Sequence, residues 1–216
     1  MKKIILIVFG FFILISAMWL ISGWQSGNWE ESLIRDVLPK LKTIEPETSP
    51  GFSSSTAGDF KEFVDPDGKL KIKYPNSWLT VENEGLLAAS TPKEWQEKYG
   101  LKTLFLAQYF QTGKFAQLVI QSGVFDISAG EIIKEMEKNN QKQGLIMEIV
   151  ELDTKDNKTI FEARYLTAGS PNLYSKEEIL VSGEKAYLIA LIALEKDWPE
   201  LAEEFNFILN SARVVQ

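Results

Sequence analysis

The chain contains neither cysteine nor histidine, and these two absences remove whole classes of chemistry. Without histidine there is no imidazole general base, no Ser-His-Asp triad and no His-ligated zinc or haem. Without cysteine there is no thiolate nucleophile, disulfide, iron–sulfur ligand or acylated lipobox residue. Basic runs are missing too: 23 Lys and Arg stand against 30 Asp and Glu, a net charge of −7. That balance argues against nucleic acid, or an anionic lipid surface, as the partner of the folded part. Glycines fall singly at turns, so no phosphate-cradling loop is present. Catalysis by carboxylates, Tyr, Lys and Ser stays open, but the depleted repertoire favours binding or assembly. No metal or other cofactor is implied, and the expectation is a protein that is not an enzyme.

What is present begins with an uncharged run from Ile4 to Ile21, extendable to Trp24 and preceded by Lys2 and Lys3. About 18 residues at roughly 1.5 Å each are long enough to cross a bilayer core. The two lysines hold the N-terminus in the cytoplasm. Residues 1–24 are therefore expected to form a single-pass anchor in the cell membrane, with the remaining chain extracytoplasmic. Trp19, Trp24 and Trp29 suit the interfacial belt of a retained helix. A cleaved signal peptide fits less well, since its apolar core is shorter, about 7–15 residues. Ser16-Ala17 is followed by Met18-Trp19-Leu20-Ile21, and Ser22-Gly23 is preceded by bulky Leu20 and Ile21.

Residues 25–59 form the connection. Asn28–Thr43 places Trp29, Leu33, Val37 and Leu41 at helical spacing, with Pro39 to kink or end the helix. Glu45–Asp59 is rich in Pro, Ser, Gly and Thr and reads as a linker, with a mean reach of roughly 20 Å if flexible. The folded domain is expected over 60–216. Leu70–Tyr74 alternates apolar and polar residues as a half-buried strand does, and Trp78–Val81 resumes after a turn. Three hairpins follow, joining Leu104–Phe110 to Phe115–Gln121, Ile146–Leu152 to Thr159–Thr167, and Tyr174–Val181 to Lys185–Ala193. Three helices interrupt them. Thr91-Pro92-Lys93-Glu94 reads as a capping box with proline at the first helical position, ended by Gly100. Ser128–Gln143 carries the apolar stripe Ile132, Ile133 and Met136, and a last helix is capped by Asp197 ahead of Trp198, Leu201, Phe205, Ile208 and Leu209. An antiparallel sheet with helices packed on it is an α+β sandwich.

Two segments carry a family resemblance. The first, Phe63–Trp78, has an Asp/Gly turn (Asp65, Pro66, Gly68), a strand ending in Tyr74-Pro75, and Trp78. The second runs from Asp197-Trp198 through Phe205 to Ser211. Together they resemble the PsbP-like family, named for an extrinsic subunit of photosystem II, over about Phe60 to Val215. The resemblance implies an α/β/α sandwich and a non-enzymatic role in a lumen or envelope, assisting or regulating membrane complexes. Members that handle metals use histidine as well as acids, so that role does not transfer, nor does a photosystem role. Independently of any family, Asp65-Pro66-Asp67-Gly68 is a type I turn sequence, and Trp78 brings a large ring to bury.

Other constellations have simpler readings. Asp153, Asp156 and Asn157 lack the glycine and glutamate of a calcium loop and suit a polar hairpin tip. Asp65 and Asp67 are better explained by turn chemistry than by a cation. Ser175-Lys176, and Ser90 with Lys93, lie in no recognisable dyad motif. Glu200, Glu203 and Glu204 read as a solvated helix face. Trp78, Trp95, Tyr99, Phe105, Tyr109 and Phe110 suit a packed core better than a ligand cleft. The leading expectation is a membrane-anchored, extracytoplasmic interaction or assembly domain acting on an envelope protein complex. The alternative is a small-molecule or lipid carrier using an apolar cleft, and a carboxylate-only hydrolase ranks last.

Overall fold

The computed structural model describes residues 60–81, 83–111, 114–166 and 171–215. The anchor residues Lys2, Lys3, Ile4, Trp19, Ile21 and Trp24, the helix expected over Asn28–Thr43 and the linker through Asp59 lie outside the described residues. Among the described residues no helix is long and apolar enough to cross a membrane.

Chain order is β1 (Phe60–Val64), β2 (Leu70–Pro75), β3 (Leu79–Thr80), α1 (Glu84–Ala89), α2 (Lys93–Tyr99), β4 (Lys102–Gln111) and β5 (Lys114–Val124). Then come α3 (Ala129–Lys142), β6 (Ile146–Lys155), β7 (Lys158–Leu166), β8 (Leu173–Ser182), β9 (Lys185–Leu194), a 3-10 turn (Glu195–Asp197), α4 (Trp198–Ser211) and β10 (Arg213–Val214). Seven strands form one antiparallel sheet in the order β3-β4-β5-β9-β8-β7-β6, and β1-β2-β10 make a smaller one. Short loops force antiparallel neighbours, as the three hairpins predict.

Alternation along the strands sends side chains to two opposite cores. On one face, Tyr187, Ile189 and Leu191 of β9 meet Leu201, Phe205 and Ile208 of α4, together with Leu70, Ile72 and Trp78 from the small-sheet side. On the other, Phe161, Tyr165 and Leu188 meet Ile132 and Ile133 of α3 and Trp95 and Tyr99 of α2. Burying a side chain such as Phe205, which is 0% exposed, stabilises the fold by about 1.5–3 kcal/mol. Layers of helix, sheet and helix make this the expected α+β sandwich. The capping box at α3 forms as the sequence requires: Ser128 Oγ accepts from Glu131 N–H (3.3 Å), and Glu131 Oε2 accepts from Ser128 N–H (2.9 Å).

Several local expectations need correction. Thr91 does not cap α2. Pro92 holds extended ψ (130°) and is itself the cap, because Thr91 Oγ1 is engaged by Thr103 on β4, at 2.7 Å from its hydroxyl and 3.0 Å from its N–H. Asp197 makes no capping hydrogen bond either. The 3-10 turn runs directly into α4, so Asp197 already has helical dihedrals (φ −94°, ψ −11°). Trp78 precedes β3 instead of starting it, and its N–H closes a turn onto Pro75 O at 3.2 Å. The two-residue β10 and the one-and-a-half-turn α1 carry too few residues for a periodic signal, and β1 (FKEFV) does not alternate. Gly100 ends α2 in the left-handed region (φ 58°), as expected.

Candidate interaction site

The residues of the opening and closing signatures meet in space. Trp78 is buried against Phe205 of α4 (ring centroids 6.2 Å apart), and its indole N–H donates to Glu204 Oε1 at 3.2 Å. Burial pushes the Glu204 carboxyl above its ordinary range, and the Trp78 bond only partly opposes that. Trp198 packs on Tyr174 (4.4 Å) and Phe205 (5.2 Å). Tyr74 is buried beside Phe105 (4.9 Å). Pro66 and Gly68 shape the β1–β2 turn, in which Gly68 N–H donates to Asp65 O at 2.8 Å with φ at +71°. These are fold-making contacts.

Asp65 does more than turn the chain. Only 2% exposed, its carboxylate accepts from Leu70 N–H (2.8 Å) and the Tyr187 hydroxyl (2.8 Å), with Lys185 Nζ at 3.4 Å. Burial alone would raise its pKa; the Leu70 N–H, the Tyr187 hydroxyl and Lys185 more than reverse this and hold it below the usual value. Lys185 also reaches Asp67 at 2.8 Å. Both carboxylates are thus committed to a lysine, which accounts for them without a cation.

The Ser–Lys pairs that the sequence sets aside do not form dyads in the fold either. Neighbours on a strand point to opposite faces, so Ser175 and Lys176 cannot cooperate. Ser175 Oγ donates to buried Glu177 Oε1 (2.7 Å), which also accepts from Tyr165 (2.5 Å), whereas Lys176 pairs with Glu162 (2.9 Å) on the other side. Burial pushes the Glu177 carboxyl up. Ser90 donates to Leu87 O (2.6 Å) and is hydrogen-bonded with the Thr103 hydroxyl (2.8 Å), and Lys93 pairs with Glu97 (3.5 Å). Asp156 and Asn157 form the tight tip of the β6–β7 hairpin, with Asp156 at φ +55°. Glu203 is exposed, and Glu200 pairs with Lys114. The aromatics pack on one another: Trp95 on Tyr99 (5.5 Å), Tyr99 on Phe125 (4.6 Å), Trp78 on Tyr109 (6.3 Å). Among the described residues no group of three or more acidic side chains is placed to hold a metal.

The region with unspent interaction capacity is the β6 edge of the large sheet. Register assigns its faces. Glu148, Glu151 and Asp153 pair with Arg164, Glu162 and Ile160 on the α4 side, while Met147, Ile149 and Leu152 pair with Tyr165, Ala163 and Phe161 on the α3 side. The register shifts between Ile149 and Glu151, so Val150 is an inserted, bulged residue. A cavity of about 150 Å3 lies between this edge and the C-terminal half of α4. Its lining includes Glu151, Asp153, Glu162, Lys176, Asn206 and Asn210. Glu162 is already engaged, holding Lys176 and accepting from the Tyr174 hydroxyl (2.7 Å). Burial and then Glu162 push the Tyr174 pKa up to about 12. Arg164, opposite Glu148, gives its guanidinium to Glu195 (2.7 Å). Among the described residues, no ion pair therefore engages Glu148, Glu151 or Asp153. The sequence contained one signal for this region: adjacent Ile149-Val150 breaks the period-two alternation, which is where the bulge sits.

No family model matches the chain, and no curated protein does. Among solved structures, the chain is similar to cyanobacterial PsbP (CyanoP) from Synechocystis sp. PCC 6803. The identity is 14% and the TM-score 0.55, covering 77% of this chain and 98% of the other. It is also similar to the Ran-binding protein Mog1p of Saccharomyces cerevisiae, at 13% identity and TM-score 0.47, over 73% and 96%. A third is LpqN of Mycobacterium tuberculosis, involved in cell envelope biogenesis, at 11% and 0.44, over 73% and 91%. At such identities the likeness speaks for the fold alone: the fold is PsbP-like, as the two signature segments imply.

Proposed function

We propose that this protein is a non-enzymatic interaction domain, held outside the membrane by its N-terminal helix, that engages a protein of an envelope complex. The observation that carries the reading is the β6 edge: a long strand with one side unpaired, flanked by Glu148, Glu151 and Asp153, which no ion pair engages among the described residues. An exposed sheet edge of this kind offers main-chain hydrogen bonds to an extended segment of a partner. The uncharged run Ile4–Ile21 and the short linker would keep that partner in the membrane or beside it. The carrier reading gains nothing from the cavity, whose roughly 150 Å3 falls below the about 300–1,000 Å3 of typical ligand sites.

The test is crosslinking of the tagged full-length protein in its membrane, compared with a chain lacking residues 1–58 and read by mass spectrometry. One partner enriched near stoichiometry with the anchored form, and weakened without the anchor, is the expected result. No reproducible partner would overturn the reading.

A further inference from the structure

The two edges of the large sheet are treated differently. At one end, β4 is covered by β3, by the Val81 N–H bonded to Leu106 O (2.9 Å), by Thr91 Oγ1 bonded to Thr103 N–H (3.0 Å) and by α1. At the other, β6 pairs with β7 on its inner side, and no described element pairs with its outer side. Its ten residues present outward-facing N–H and C=O groups at alternate positions. Ile146, Val150 and Leu152 on the same strand are 60%, 49% and 55% exposed, large values for apolar side chains.

We propose that β6 is the docking edge for an extended segment of a partner protein, added as an eighth strand, whose side chains alternate basic and apolar. This rests on the interaction reading above and names the partner's chemistry. The alternation follows from the two faces of β6. An added strand sends every second side chain toward the α4 face, where it meets Glu148, Glu151 and Asp153, and the others toward the α3 face, beside Leu152. Lys or Arg in the first set neutralises acids that lack a cation, and the cavity beside Asn206 and Asn210 gives long basic side chains room to extend. A second copy of this chain fits poorly. Pairing β6 with itself would gather Glu148, Glu151 and Asp153 of both copies on one face, with Lys155 as the one cation of the strand there to offset three acids. Like charges on facing strands repel.

The probe is a short acetylated peptide alternating lysine and valine, added to the full chain in zwitterionic detergent, with hydrogen–deuterium exchange read by mass spectrometry. Slowed exchange confined to residues 146–155 is expected, along with loss of binding when every peptide amide is methylated. Replacing Glu151→Lys and Asp153→Lys together should weaken binding by about tenfold. If that pair impairs folding, Glu151→Gln with Asp153→Asn, which keeps the side-chain shape, should still weaken it several-fold. Absence of protection at 146–155 overturns the proposal. So does equal binding of the methylated peptide, which would be ionic adsorption, and so does protection that grows with protein concentration alone, which would be self-pairing. A crosslinked partner that contacts another surface would leave the interaction reading standing while removing this one.

Discussion

Replacing Asp65 with alanine strands two buried donors at once, the Leu70 N–H and the Tyr187 hydroxyl, both on residues that are 0% exposed. Each unsatisfied buried donor costs about 1–3 kcal/mol. Lys185 adds little to the loss, because its side chain is 25% exposed and keeps Asp67 at 2.8 Å. Water entering the vacated space relieves part of the penalty, which leaves about 3 kcal/mol. Urea unfolding followed by tryptophan fluorescence reads this as a midpoint lowered by roughly 1–2 M. Asp65→Asn retains one acceptor oxygen and should lose about half as much. Asp67→Ala removes a mostly exposed carboxylate and should cost under about 0.5 kcal/mol. The pH dependence has a definite sign. The folded pKa of Asp65 lies below the ordinary aspartate value of 3.8, which the unfolded chain keeps, so between the two the unfolded state binds the proton. The contribution is complete above the unfolded value and is lost as pH falls through the folded one. That acid-side loss should be smaller in Asp65→Asn. Equal midpoint shifts for Asp65→Ala and Asp67→Ala would refute the argument, since they would mean that burial and the Tyr187 bond carry no weight.

Three further outcomes follow from the same packing. Gly68→Ala should cost about 1 kcal/mol in urea unfolding through backbone strain alone, since φ is +71° and no heavy atom lies within 4 Å of the added methyl group. Phe205→Ala, at the centre of the α4 core, should cost about 3–5 kcal/mol, and near-silence would mean that α4 docks by other contacts. Glu177 is held protonated more readily in the folded state because burial raises its pKa above 4.5. The folded state therefore keeps a proton that the unfolded state releases, and this group's contribution falls as pH rises above 4.5. Glu177→Gln should gain stability relative to the parent as pH rises above 4.5, and a difference that stays flat with pH would remove the buried-acid account.

Physical range decides how the fold and the site divide between sequence and structure. Hairpins, turns and helices are short-range objects, so the alternation in Leu70–Tyr74, the Asp65–Gly68 turn and the Ser128–Glu131 box are readable from neighbouring residues. The same is true of the apolar faces of α3 and α4. The absence of His and Cys is likewise a property of composition, and it restricts chemistry whatever the fold. Tertiary structure alone makes Asp65 a buried acceptor for Tyr187, more than a hundred positions away in the chain, and spends Thr91 on Thr103 in place of a helix cap. It alone sets strand order, because register within a hairpin is local but the choice of outermost strand depends on how all three hairpins and β3 assemble. Glu151 reads in the sequence as one more surface acid. Its position on the open edge, beside a Glu162 already held by Lys176 and Tyr174, is what leaves its charge without an ion pair among the described residues.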